Sequence, residues 1–171
     1  MKVNKEKLKQ VIHYIISKCD CKNNVGKTVL CKLLYFSDFD HYEVYEKSIT
    51  NNTYYRFPQG PYFPMIENLA DELIAEGKIN VSRKFAFLGG DYPITSYSPL
   101  KDPDLSLLNN DELKVIDSVI DKLSLMNANE ISEYSHGDKP WRVAKEGEEL
   151  DYEFVFYRDE KYSVRVYDED G

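Results

Sequence analysis

No stretch of this sequence approaches the ~20 consecutive apolar residues that a bilayer-spanning helix needs. No apolar core with a small-residue cleavage site follows the amino terminus either, so neither a membrane span nor a secretory leader is expected. Cysteine is scarce: Cys19, Cys21 and Cys31 are an odd number, and Cys19-x-Cys21 lacks the two-residue spacer usual in zinc sites. Free thiols in the cytoplasm are the default reading. A basic excess is missing too, and the net charge of −8 argues against autonomous binding to bulk nucleic acid. There is no Ser-His-Asp or Cys-His pattern and no glycine-rich nucleophile elbow. Gly26-Lys27-Thr28 invites a phosphate-loop reading, but Cys21 stands where the earlier glycine belongs, and polar Asp20–Asn24 precedes it instead of an apolar strand. No repeat, low-complexity stretch or linker divides the chain.

What is present is enough for one domain. A length of 171 residues with 42% hydrophobic and 30% charged residues suits a single well-cored globular unit. Charge is unevenly spread. Residues 1–32 carry eight lysines against Glu6 and Asp20, a balance of +6, which leaves −14 for the remainder. That is either a solvated lysine-rich helix face or a basic patch for an acidic partner surface. Fourteen tyrosines supply apolar rings with polar tips, suited to half-buried surfaces and interfaces.

Periodicity predicts a helix over residues 4–18 with Leu8, Val11, Ile12, Ile15 and Ile16 as its stripe. Asn4 can cap it, without a capping box because Lys7 is its third residue. After a polar connection from Asp20 to Gly26, a second helix runs from about Lys27 to Val44. Ser48–Arg56 reads as a small hairpin turning at Asn51-Asn52, and Phe57–Pro61 breaks regular structure. Pro61 or Pro64 can open a third helix carrying Ile66, Leu69, Leu73 and Ile74 and stopping at Gly77. Ile79–Leu88 and Tyr92–Ser98 read as strands joined through Gly89-Gly90-Asp91. A loop containing Pro103 leads to a fourth helix after Asn109/Asn110, with Leu113, Ile116, Val119 or Ile120, and Leu123 on its stripe. A short fifth helix is capped by Asn127 or Asn129, and Pro140 can start another short turn of helix. Alternation at Tyr152, Phe154 and Phe156, and at Tyr162, Val164 and Tyr167, predicts a terminal hairpin around Arg158–Lys161, followed by an acidic tail. The fold expected is α+β: a mostly helical single domain of about five helices with small antiparallel β-hairpins.

The second helix is the most informative segment. Leu30, Leu33 and Leu34 share one face, and continuing that row reaches Asp38 and His41. A carboxylate and an imidazole beside a core stripe need partners, because unpaired buried polar groups are costly. Asp38 and His41, three apart, could share a metal ion, with His136 completing a site that keeps an open position. The same pattern also describes structural hydrogen bonds.

Lys32-Leu33-Leu34-Tyr35-Phe36-Ser37-Asp38, then Ser48-Ile49-Thr50, then Gln59-Gly60-Pro61, then Ser135-His136 with Trp141, occur in this order. That series resembles the Panacea-domain antitoxins, a family that includes the SocA-like antitoxins and phage-associated GepA-like proteins. The resemblance covers roughly residues 5–145, so a division into a Panacea-like domain over 1–150 and a hairpin extension with acidic tail over 151–171 is expected. It implies a cognate toxin encoded by an adjacent gene and neutralised by direct binding, with no catalytic activity and no cofactor. No added helix-turn-helix module of the kind some relatives append is found. A mobile-element regulator contacting nucleic acid through the basic first third is a further alternative.

Candidate contact residues are Lys32, Tyr35, Phe36, Tyr54, Tyr55, Arg56 and Phe57, because aromatics and arginine typify binding hot spots. Each also has a plainer role. Tyr35 and Phe36 lie beside the leucine stripe and can pack on the hairpin, Tyr54, Tyr55 and Phe57 can cover the second helix, and Lys32 can be an ordinary solvent-exposed lysine. Asp38, His41, Gly60, Pro61, Ser135, His136 and Trp141 form the expected structural polar constellation. Gly60-Pro61 is read as a tight turn, and Trp141 as a cover over the core beside His136 with its indole N–H on an acceptor.

Overall fold

The computed structural model of the chain describes residues 2–20, 25–85 and 93–168. The expected turn at Gly89-Gly90-Asp91, most of the polar connection with Cys21, and the acidic end at 169–171 lie outside the described residues. Helix α1 (Lys5–Lys18) is capped by Asn4, whose side chain accepts from the Lys7 N–H at 3.1 Å. Its predicted stripe of Leu8, Val11, Ile12, Ile15 and Ile16 is buried.

Helix α2 (Lys27–Tyr45) is the axis of the fold. Residues 29–39 are buried without interruption, so this stretch of the helix is enclosed on all sides instead of presenting one face to a core, while its C-terminal end from Asp40 to Tyr45 is partly open to solvent. Gly26 precedes it because a Cβ there would overlap the Thr95 carbonyl oxygen, and Lys27 pairs with Glu67 at 2.7 Å. The chain leaves α2 through Glu46, whose φ of 59° turns it out of the helix.

The first hairpin is shifted from its predicted place. Strands β1 (Tyr55–Phe57) and β2 (Gly60–Tyr62) pair antiparallel across Pro58-Gln59, with Tyr55 opposite Tyr62 and Phe57 opposite Gly60. Asn51 does take positive φ, at 59°. The Ser48–Arg56 hairpin fails because the N–H groups of Ile49 and Thr50 are drawn onto the Asp38 carboxylate, leaving them unavailable for a ladder.

Helix α3 (Ile66–Ala75) starts after Pro64 and ends before Gly77, whose φ is 72°. Strands β3 (Ile79–Phe85) and β4 (Pro93–Pro99) form a second antiparallel pair, in register from Ile79 opposite Pro99 to Phe85 opposite Pro93. Helices α4 (Asn110–Leu123) and α5 (Ala128–Ser135) each begin with a full capping box, Asn109 with Glu112 and Asn127 with Glu130. A short α6 (Lys139–Val143) has Asp138 as its cap and Pro140 in its first turn. The α+β, mostly helical fold is as expected, and α1, α3, α4, α5 and β2 all pack on α2.

The terminal hairpin is replaced by a 3-10 helix, Tyr152–Tyr157, and no strand forms over the described residues that follow. The reason is a three-residue spacing hidden under the alternation. Tyr152, Val155 and Arg158 recur at the period of a 3-10 helix and all turn toward α2. Tyr152 stacks on Phe39 at 4.1 Å, Val155 is fully buried, and the Arg158 side chain has no solvent exposure. Just upstream, residues 147–150 lie along β1. The Gly147 N–H donates to the Arg56 carbonyl at 2.7 Å and the Arg56 N–H to the Glu148 carbonyl at 2.9 Å.

Candidate functional site

Asp38 is a buried hub. One carboxylate oxygen accepts the N–H groups of Ile49 and Thr50, both at 2.9 Å, and the other accepts the hydroxyls of Thr50 and Tyr54, both at 2.7 Å. Burial pushes its pKa up, and these four bonds oppose the shift. His41 donates its Nδ1–H to the Lys47 carbonyl, 2.6 Å away, which fixes the proton on that nitrogen. His136 stands elsewhere, stacked on Trp141 with 4.4 Å between ring centres. The predicted metal set therefore does not assemble, and among the described residues no group of three or more His, Cys, Asp or Glu side chains could hold an ion. Asp38 and His41 organise the loop that follows α2.

A second cluster sits under the β1–β2 hairpin. Lys32 is only 1% exposed, which corrects the expectation of a solvent-exposed lysine. Desolvation lowers its pKa, opposed only in part by the neighbouring Cys31 thiol. Gly60 lies directly over it with φ of 114°. A Cβ at this position would overlap Ser135 Oγ and come within 2.7 Å of Lys32 Cε. Ser135 in turn donates to the Ser132 carbonyl at 2.6 Å. Lys32, Gly60 and Ser135, far apart in sequence, thus meet in one close-packed seam between α2, β2 and α5.

At the surface above this seam, Arg56 and Trp141 join. The guanidinium lies 3.9 Å from the centre of the Trp141 rings, and Nη1 donates to the carbonyls of Trp141, Arg142 and Ala144 at 3.0, 3.2 and 2.8 Å. The Trp141 indole N–H donates to the Phe57 carbonyl at 3.1 Å, as its predicted need for an acceptor requires. Phe57 stays 37% exposed at the hairpin tip, edge-on to Tyr62. Tyr55 is half-buried beside it.

Of the expected contact residues, Tyr35, Phe36 and Tyr54 are buried, whereas Tyr55 and Arg56 are partly exposed and Phe57 is exposed. For Tyr35 and Phe36 the reason is that residues 29–39 of α2 are buried all round, so positions beside the leucine stripe are as deep as those on it, and Tyr54 is drawn in by its hydroxyl bond to Asp38. Tyr35 packs against Phe36, Phe39 and Tyr54 and donates its hydroxyl to Asp138 at 2.8 Å.

Sequence reading missed Arg158 entirely. Its Nη1 donates to Asp40 at 2.8 Å and to Glu43 at 3.0 Å, and its Nε and Nη2 grip the two oxygens of Asp138. Glu43 also accepts from Ser163 Oγ, the Val164 N–H and the Tyr167 hydroxyl. The N-terminal lysines, for their part, are largely spent within the chain. Lys5 pairs with Glu72, Lys7 with Glu112, Lys9 with Glu76 and Lys27 with Glu67, which reduces the basic patch offered to a partner.

No helix among the described residues is long and apolar enough to cross a membrane. No curated protein and no solved structure matches the chain. A family model described as antitoxin SocA-like, Panacea domain, matches residues 30–142, which contain Asp38, the Lys32–Gly60–Ser135 seam and the Arg56–Trp141 pair. With two thirds of its length matched, the chain belongs to the SocA-like, Panacea-domain antitoxin family, whose description implies a protein partner.

Proposed function

We propose that the chain is the antitoxin of a toxin–antitoxin pair and neutralises its toxin by direct protein–protein binding. The observation that carries this reading is the family match over residues 30–142, whose most separated motif residues gather beneath one surface hairpin. Phe57 and Tyr55 offer aromatic surface, and Arg56 is held rigidly by Trp141 and three carbonyls, so little ordering cost remains on binding. Lys32, Tyr35, Phe36 and Tyr54 support that face from below without touching the partner. The toxin is the product of an adjacent gene, the complex forms in the cytoplasm, and no catalysis or cofactor is involved. The saturated bonding of Asp38 supports a bracing role over a metal-dependent one.

Expression of the neighbouring gene alone is expected to arrest growth. Co-expression with this chain restores growth and yields a pair that co-purifies. Persistent arrest together with no recoverable complex would overturn the reading.

A further inference from the structure

Away from the hairpin face, a groove of about 230 Å³ opens between the C-terminal half of α2, helix α4 and the tail that follows the 3-10 helix. Among the described residues Asp40 is the one carboxylate lining it, and Val44, Tyr45, Val115 and Val164 form apolar walls. Val164 is fixed in place, because its N–H and the neighbouring Ser163 and Tyr167 hydroxyls are all bonded to Glu43. Farther along the tail Val166 is 92% exposed and Tyr167 nearly half exposed, and on α2 Tyr45 is exposed as well. Val44, Tyr45, Val115 and Val164 thus leave apolar walls open between the end of α2, α4 and the adjoining tail, where a side chain from outside can pack.

Charge identifies the occupant. Asp40, Glu43 and Asp138 all face the single guanidinium of Arg158, so three carboxylates share one cation. The side of this cluster that reaches the surface is Asp40, at the groove. The chain as a whole carries −8. Lys114, exposed on α4, stands at the groove's edge and offsets part of that field.

We infer that this groove is a second docking surface, built for a partner-protein segment that inserts an arginine or lysine between two apolar residues. The aliphatic stem crosses the valine walls, the cationic tip reaches Asp40, and the flanking residues cover Tyr45, Val166 and Tyr167. It goes beyond the antitoxin reading and does not require the toxin to be the partner.

The test uses the full chain and the peptide acetyl-Val-Arg-Val-amide, with the citrulline version as an uncharged equal in shape. Binding is followed by NMR at pH 7.5 on Tyr45, Val115 and Val164. The arginine peptide is expected to give saturable shifts at these residues and to bind roughly five-fold tighter than the citrulline peptide. Asp40→Asn should erase the difference, and Lys114→Ala should widen it. Equal binding of both peptides, or shifts confined to other residues, would overturn the inference. So would absence of saturable binding. A hairpin variant such as Phe57→Asp should leave peptide binding unchanged, which separates this surface from the proposed toxin face.

Discussion

Arg158 grips Asp138 with two parallel bonds, Nε and Nη2 each 2.8 Å from one carboxylate oxygen, and neither side chain is exposed to solvent. Asp138 caps α6 inside the family-matched region, whereas Arg158 lies beyond it. The segment after residue 150 is thereby tied to the core by a buried ion cluster, and Asp40 and Glu43 add two more anchors on α2.

Removing Arg158 leaves three carboxylates facing one another without a cation. Arg158→Met is expected to lower the unfolding free energy by about 3–5 kcal/mol, the usual cost of breaking a buried pair from one side. Urea denaturation followed by circular dichroism measures it. Arg158→Lys should recover only part of the loss, because an ammonium cannot reproduce the two-pronged grip on Asp138.

Asp38→Ala deprives two N–H groups and two hydroxyls of their acceptor in a fully buried place. A loss of about 3 kcal/mol or more is expected in the same denaturation assay, with Asp38→Asn milder because it keeps one oxygen. Wild-type stability in Asp38→Ala would show that the loop after α2 is held by other means.

Gly60→Ala and Gly147→Ala make a matched pair. Both glycines have positive φ, but a Cβ at Gly60 meets Ser135 and Lys32 whereas one at Gly147 meets nothing within 4 Å. The Gly147 change should cost only backbone strain, about 1 kcal/mol. Gly60→Ala should cost clearly more, roughly 2–4 kcal/mol once the displaced Lys32–Ser135 packing is included. Equal melting temperatures for the two variants would contradict the close seam.

Burial, partly offset by the Arg158 guanidinium, pushes Asp40 up to about 6 from 3.8. Such a group binds its proton more tightly when folded than when unfolded. Its contribution is greatest below the unfolded value and declines as pH rises from about 4 through about 6. Glu43 acts oppositely: although burial raises its pKa, bonds from Ser163, Val164 and Arg158 hold it below 4.5, so its support is lost on acidification. Asp40→Asn should therefore remove the declining limb and raise stability at pH 7 by on the order of 1–2 kcal/mol, while leaving the acid-side loss in place. Melting curves between pH 4 and pH 8 check both signs.

The sequence made some of this architecture plain and concealed the rest, for physical reasons. Asn4, Asn109 and Asn127 announce helix starts through contacts within four residues, and the α1 stripe is a local pattern, so both were legible. The need of Asp38 for partners was legible too, although their identity as Thr50 and Tyr54 was not. Helix α2 is less legible because residues 29–39 are buried all round, so the leucine stripe does not separate inner from outer positions, and Tyr35, Phe36 and Lys32 lie deeper than the stripe alone implies. Lysine is so seldom buried that Lys32 beneath Gly60 could not be read locally. Arg158 sits in a charged turn, and its partners Asp40 and Glu43 lie more than a hundred residues away, so nothing near it in the chain signals a buried cation.

The proposed antitoxin face is tested most directly by the affinity of the purified chain for the product of its neighbouring gene, measured by calorimetry with wild type and Phe57→Asp. Phe57 is exposed, and its replacement leaves the Phe57 carbonyl free to hold Trp141, so folding should persist. A tight wild-type complex weakened by about 2 kcal/mol or more in the variant is the expected outcome. Identical affinities would place the toxin on another surface, and no wild-type binding at all would contradict the antitoxin reading itself.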